Sequence, residues 1–136
     1  MRVKQLASEL GVSVDNVRYY TRIGFLVPSK SINGYKHYRP EDIAKLRFIL
    51  SARSLGFSVN DIEEILNMAS HDKVPCPTVR RLIEIRLAET ERRFQDMLEL
   101  RERMRKATEE WQLKPDQLPT AQTICHLIEG FSLIEE

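Results

Sequence analysis

Little in this 136-residue chain announces chemistry. It has two cysteines, Cys76 and Cys125, too few and too far apart for a disulfide framework. In a reducing compartment they are expected as free thiols, buried packing residues or ligands. No apolar run is long enough to span a bilayer, and no charged leader precedes an apolar stretch. A soluble, cytoplasmic chain without a membrane partner is the expectation. There is no Gly-rich phosphate loop, oxyanion loop or paired carboxylate motif, and neither an internal repeat nor a low-complexity segment. The one adjacent Cys–His pair, Cys125 and His126, would diverge by about 100° on a helix, a poor nucleophile–base geometry. An enzyme is therefore not expected.

Net charge is also nearly missing, at +1, and does not by itself suggest a polyanionic partner. Its distribution does. Residues 1–54 hold ten Lys and Arg against Glu9, Asp15, Glu41 and Asp42, a local charge of +6, and the other 82 residues sum to −5. A basic N-terminal part on a nearly neutral chain is the electrostatic footprint of a DNA-facing module. The length, with 42% hydrophobic and 30% charged residues, suits one domain or a small domain with an appendage.

Val3, Leu6, Ala7 and Leu10 recur at helical spacing, Gly11 suits a helix end at positive φ, and Ser13 is a good N-cap for a second helix. Two short helices around a tight Gly-containing turn predict a helix-turn-helix. On the second helix, Val14, Val17 and the ring of Tyr20 or Ile23 can face inward. The segment Val14–Arg22 is expected to read a major groove, with Asn16, Arg18, Tyr19, Tyr20 and Arg22 as candidate DNA contacts. Asn33-Gly34 is a strong hairpin-turn signal, and Tyr35 and Tyr38 suit short strands beside it. A basic hairpin directly after a helix-turn-helix is a wing. Lys30, Tyr35, Lys36 and His37 are its candidate phosphate contacts.

The ordered series Arg18-Tyr19-Tyr20, Gly24-Phe25-Leu26-x-Pro28 and Gly34-Tyr35-Lys36-x-Tyr38 resembles the signature of the MerR family of bacterial transcription regulators, with matching spacing from Met1 to about Met68. Pro40 at a first helical position opens a helix through about Arg53, and Ser58 caps another from Val59 to about Met68. Arg53 resembles the position from which this family reaches DNA phosphates.

From Thr78 to about Leu113 the chain lacks Gly and Pro. Alternating steps of four and three pass through Ile83, Leu87, Thr90, Phe94, Met97, Arg101, Met104, Thr108 and Trp111, an imperfect coiled-coil seam with six apolar positions of nine. A helix of about 35 residues is roughly 50 Å long and cannot fold back along its length on so small a domain. Six large apolar side chains left in water would cost on the order of 1.5–3 kcal/mol each. A homodimer is therefore expected, and the resemblance implies an antiparallel coiled coil. The fold class is thus mainly α: a winged helix-turn-helix DNA-binding domain over 1–70, a linker over 71–77, a dimerisation helix over 78–113, and an effector-binding loop with a short C-terminal helix over 114–136.

Thr120 is expected to cap that short helix, Ala121–Glu129, with Gly130 ending it. Cys76, between Pro75 and Pro77, is expected at the N-cap of the long helix, where amides and dipole favour a thiolate. In the metal-sensing branch of the MerR family, a Cys at the start of the dimer helix and one in the C-terminal loop help bind an ion at the dimer interface. Cys76 and Cys125 resemble those places. That branch commonly has another Cys at the far end of the dimer helix, where this chain has Trp111-Gln112, and the loop before Cys125 is longer and holds two prolines. The ligand set is incomplete by that standard. Two thiolates suffice for a linear soft ion, and Cys76, Cys125 and His126 or His71 approach a tetrahedral set with water. Zn, Cd, Hg, Pb and Cu all remain open. So do redox or electrophile sensing through the thiols, an organic effector in an apolar pocket near Trp111 and Phe94, and simple packing of the cysteines.

The resemblance further implies double-stranded promoter DNA and RNA polymerase as partners. The inducer would shift the dimer helices, and bent, untwisted DNA would realign promoter elements. A DNA-binding protein without inducer-dependent output is the plainer alternative.

Overall fold

A computed structural model of the chain describes residues 1–131. The last five positions of the predicted 114–136 segment lie outside the described residues. The elements run α1 (Val3–Leu10), α2 (Val14–Arg22), β1 (Ser29–Lys30), β2 (Lys36–His37), α3 (Pro40–Ser54), α4 (Val59–Ser70), α5 (Cys76–Trp111) and α6 (His126–Glu129).

Capping chemistry sets most of these boundaries. Gly11 ends α1 with φ 67°, a left-handed conformation that glycine adopts without a Cβ penalty. Ser13 Oγ accepts the Asn16 N–H at 3.1 Å and starts α2. Pro40 opens α3 at a position where a missing N–H costs nothing. At α4, Ser58 Oγ accepts the Asp61 N–H at 3.0 Å while Asp61 Oδ2 accepts the Ser58 N–H at 2.9 Å, a reciprocal cap.

The chain divides into two compact units, Met1–Arg86 and Leu87–Glu136, with α5 contributing to both. In the first, Leu6, Val17, Leu26, Leu46, Ile49 and Ile62 are essentially inaccessible to solvent, and Tyr20, Phe25, Tyr38, Phe57, Ile65 and Leu82 complete the core. Leu82, with Val79 and Ile83 beside it, seats the opening turns of α5 on that core. In the second unit the rest of α5 leads into a loop and the single turn of α6. The Trp111 and Phe131 rings meet edge to face there, with centroids 6.3 Å apart.

Two helices differ from the sequence expectation. The long helix starts at Cys76 rather than Thr78 and ends at Trp111 rather than Leu113, so Cys76 is its first residue and not its N-cap. Residues 121–125 are not helical. Thr120 Oγ1 accepts the N–H groups of Gln122 and Thr123 at 3.2 and 3.1 Å, and the Thr120 N–H donates to the Thr123 carbonyl at 2.8 Å. That local turn competes with a helix for the same backbone groups. The helix is reduced to His126–Glu129 with Cys125 as its extended N-cap residue. Among the described residues no helix is long and apolar enough to cross a membrane.

Candidate nucleic-acid interface

Helix α2 presents a polar face because its apolar residues are used elsewhere. Val17 is fully buried, Tyr20 is 7% exposed, and Asn16, Arg18 and Arg22 remain in solvent. Tyr19 is half-buried, with the Arg22 guanidinium 5.5 Å from its ring centroid. Arg18 and Asp15 approach only to 4.0 Å and are both largely solvated, a pair worth about 0–1 kcal/mol. Tyr20 is a correction to the expected set of contacts. Its ring stacks on Phe25, centroids 6.3 Å apart and planes 5° from parallel, and Tyr19 meets it at 5.2 Å, so it packs the core instead of facing out. Ile23, the other inward candidate, is left 37% exposed.

The wing is a two-stranded antiparallel hairpin with Ser29 opposite His37 and Lys30 opposite Lys36. Its loop closes through Ser31 N–H to Tyr35 carbonyl and Gly34 N–H to Ser31 carbonyl, both 2.9 Å. Gly34 has φ 80°, the left-handed position that a three-residue hairpin loop requires. Lys30, Tyr35, Lys36 and His37 are all exposed, and the His37 ring lies 2.9 Å from the Met1 amino nitrogen.

One carboxylate holds both roots of the wing. Asp42, in the first turn of α3, is fully buried. Its Oδ1 accepts the Val27 N–H and its Oδ2 the Arg39 N–H, each at 3.0 Å, so the residues flanking the hairpin on either side share one acceptor group. Burial alone would push this carboxyl up. The backbone N–H groups of Arg39 and Val27, with the Arg39 guanidinium, outweigh that and hold it below the ordinary carboxylate value. The wing is also tied to α2, since Tyr38 Oη and Thr21 Oγ1 are 2.7 Å apart with Tyr38 buried.

Arg53 is exposed near the end of α3, and its Nη1 donates to the Phe57 carbonyl at 2.8 Å across the turn at Gly56. The structure adds a residue that the sequence reading missed. The Arg2 guanidinium lies over the exposed Tyr35 ring, 4.1 Å from its centroid. The sequence offered no signal beyond a basic residue just before α1. Tertiary pairing brings positions 2 and 35 together, with Tyr38 N–H donating to the Met1 carbonyl at 2.7 Å. Surfaces of this kind, cationic and rich in N–H donors, suit phosphate oxygens and base edges.

Cys76 is exposed in the first unit, and Cys125 is half-buried in the second. The Cys125 N–H donates to Glu129 Oε2 at 2.7 Å, and His126 Nε2 lies 2.9 Å from the Pro115 carbonyl. Among the described residues no three His, Cys, Asp or Glu side chains cluster to hold a metal ion. His71 stands apart, its Nδ1 2.7 Å from the Asn67 carbonyl.

Comparison with known proteins agrees with this architecture. Residues 1–69 match the MerR HTH family of regulatory proteins, and residues 43–107 match the MerR DNA-binding family. The HTH-type transcriptional regulator HmrR of Rhizobium leguminosarum bv. viciae is 32% identical over 101 residues, covering 74% of this chain and 78% of that protein. The mercuric resistance operon regulatory protein of Bacillus cereus is 29% identical over 97 residues, covering 71% and 74%. The fold is similar to that of the transcription regulator PbrR691 from Ralstonia metallidurans CH34, solved in complex with lead(II), with a TM-score of 0.72, 20% identity, and coverage of 97% of this chain and 99% of that one.

Proposed function

The chain belongs to the MerR family of HTH transcription regulators and is not an enzyme; from that premise we propose that it reads a two-fold-symmetric promoter site as an effector-responsive homodimer. Helix α2 enters the major groove with Asn16, Arg18, Tyr19 and Arg22, while Lys30, Tyr35, Lys36, His37 and Arg53 hold phosphates. The observation that carries this reading is the shared frame. The exposed cationic face of α2 and the exposed wing are fastened to one core by Tyr38–Thr21 and Asp42, so they move as one reading head. Residues 1–70 form that head, 71–77 link it, 78–113 dimerise, and 114–136 carry the effector loop.

Dimerisation is supported by the apolar side chains that α5 leaves in solvent. Leu87, Phe94, Met97 and Met104 are each more than half exposed. A second copy would bury them at roughly 1.5–3 kcal/mol apiece. Two heads at fixed separation then demand two half-sites at fixed spacing. Promoter DNA and RNA polymerase are the partners, and distortion of the promoter costs about 1–6 kcal/mol for the bend. An effector supplies that difference by binding the distorting state more tightly.

For the signal we propose a thiophilic metal ion, one of Zn, Cd, Hg, Pb or Cu. The support is two reduced-type thiols, Cys76 and Cys125, in a relative of regulators named for mercury resistance. In this reading the donors come from both protomers, with His126 as the nitrogen donor nearest Cys125 in sequence.

Footprinting of a palindromic duplex, with and without each metal, tests the whole reading. A symmetric footprint whose central cleavage pattern changes with metal supports it. Direct metal stoichiometry on reduced protein, compared with Cys76→Ser and Cys125→Ser, tests the ion separately. A footprint that no metal alters, with no metal bound, removes the ion and leaves the DNA reader.

A further inference from the structure

We propose that Arg2 completes a built phosphodiester-binding cleft between the start of α1, helix α2 and the wing. The cleft, of about 510 Å³, is lined by Arg2, Arg18, Arg22 and Lys36, with Tyr35 and Tyr38 among the remaining residues. Among the described residues no carboxylate lines it. Four cations around one recess give it a field of single sign, which favours an anion of the size and charge of a backbone phosphate. By contrast, the larger cleft that includes Lys45 also includes Glu63 and Glu64, and opposed charges leave it no such preference.

Arg2 is the more closely stacked of the two ring-bound cations here, the Arg22 guanidinium lying 5.5 Å from the Tyr19 centroid. The Arg2 guanidinium rests on the Tyr35 ring at 4.1 Å, a cation–π contact that restricts the side chain before any ligand arrives. A stacked guanidinium still offers its edge N–H groups, which match two oxygens of a phosphate. Pre-ordering of this kind lowers the conformational entropy lost on binding. The contact also has a consequence for the wing. Arg2 fixes the exposed Tyr35 ring next to the cleft, and the Tyr38 N–H on the Met1 carbonyl keeps the two segments together. Position 2 therefore acts with the wing, although the sequence places it on the helix-turn-helix.

This assignment rests on the reading of α2 and the wing as the duplex-facing surface, and deepens it by naming a phosphate-bound residue outside both. The test uses the full chain and a duplex recovered by selection from a random pool. Affinity is measured against salt concentration for wild type, Arg2→Ala and Arg2→Lys, with thermal melts to check folding, and phosphate ethylation interference is mapped on each. Removing one phosphate contact lowers the slope of log affinity against log salt by about 0.9. Arg2→Ala is expected to show that drop, and to lose interference at one phosphate per half-site with base preference unchanged. Arg2→Lys is expected to retain most of the slope. An unchanged slope and ethylation map in folded Arg2→Ala overturns the proposal, as does a change in base preference, which would make Arg2 a base reader. Failure of the wild type to bind any duplex overturns instead the function proposed above.

Discussion

The two units of this chain solve the burial problem in opposite ways. In Met1–Arg86, hydrophobic side chains from α1, α2, α3, α4, the start of α5 and the residues around the wing close on one another. Among the described residues after Arg86, Ala107 is the one buried hydrophobic side chain, while Leu87, Phe94, Met97 and Met104 stand in solvent along α5. The first unit carries its stability within itself. The second is a helix whose apolar stripe awaits another surface. Under the function proposed above, the first unit would supply the rigid reading head and the long helix the association surface.

The sharpest way to break the contrast is to remove a core side chain from the first unit. Leu46→Ala deletes a fully buried residue and is expected to cost about 2–5 kcal/mol, independently of protein concentration. Chemical denaturation at two concentrations measures it. Phe94→Ala makes the complementary case. The ring is 65% exposed, so the fold of the first unit should not change, but dimerisation should weaken by more than tenfold in sedimentation equilibrium. Equal losses of fold stability from both substitutions would erase the distinction between the units.

Asp42 comes next. Asp42→Asn removes the charge that serves the N–H groups of Val27 and Arg39, at a cost of roughly 1–3 kcal/mol. The pH dependence follows from the lowered folded-state value. The contribution is fully present above the ordinary Asp value of about 3.9 and is lost as pH falls through the lower folded value. Wild-type stability should therefore fall in acid below about pH 4, and Asp42→Asn should flatten that part of the curve. An identical acid limb in both proteins would show that the wing roots are not held by this carboxylate.

Local punctuation in the sequence carried most of the first unit. Gly11, Ser13, Asn33-Gly34, Pro40 and Ser58 each act through their own backbone neighbourhood, so the helix-turn-helix, wing and two following helices were legible. Tertiary choices were not. Spacing allowed either Tyr20 or Ile23 inside, and stacking on Phe25 decided for Tyr20. Asp42 and Asp61 look like ordinary acidic first-turn residues until packing buries them. Arg2 meets Tyr35 only once the chain has folded. Beyond α5, Thr120 defeats the expected helix by taking backbone donors for its own turn, an outcome that apolar spacing does not encode. Of the residues expected to face DNA, Asn16, Arg18, Arg22, Lys30, Tyr35, Lys36, His37 and Arg53 are exposed, whereas nothing in the spacing showed that Tyr20 would be buried. The thiols were legible as residues but not as a site, since among the described residues no three His, Cys, Asp or Glu side chains cluster.

The smallest expected effect separates two ion pairs that both tie α4 to α5. Arg86 Nε lies 3.0 Å from Asp61 Oδ2, with the carboxylate side chain 7% exposed, whereas Arg81 Nη2 lies 3.4 Å from Glu64 Oε1 with both side chains about half exposed. Water screens the second pair and competes for its groups, so Glu64→Gln should change stability by less than about 1 kcal/mol and less still in high salt. Asp61 is also the acceptor for the Ser58 N–H that begins α4. Asp61→Asn therefore disturbs a helix cap and removes the buried charge facing Arg86, and its cost should exceed that of Glu64→Gln at every salt concentration. If the two substitutions cost the same and respond equally to salt, the seat of α5 on the first unit is held by Leu82 and its apolar neighbours alone.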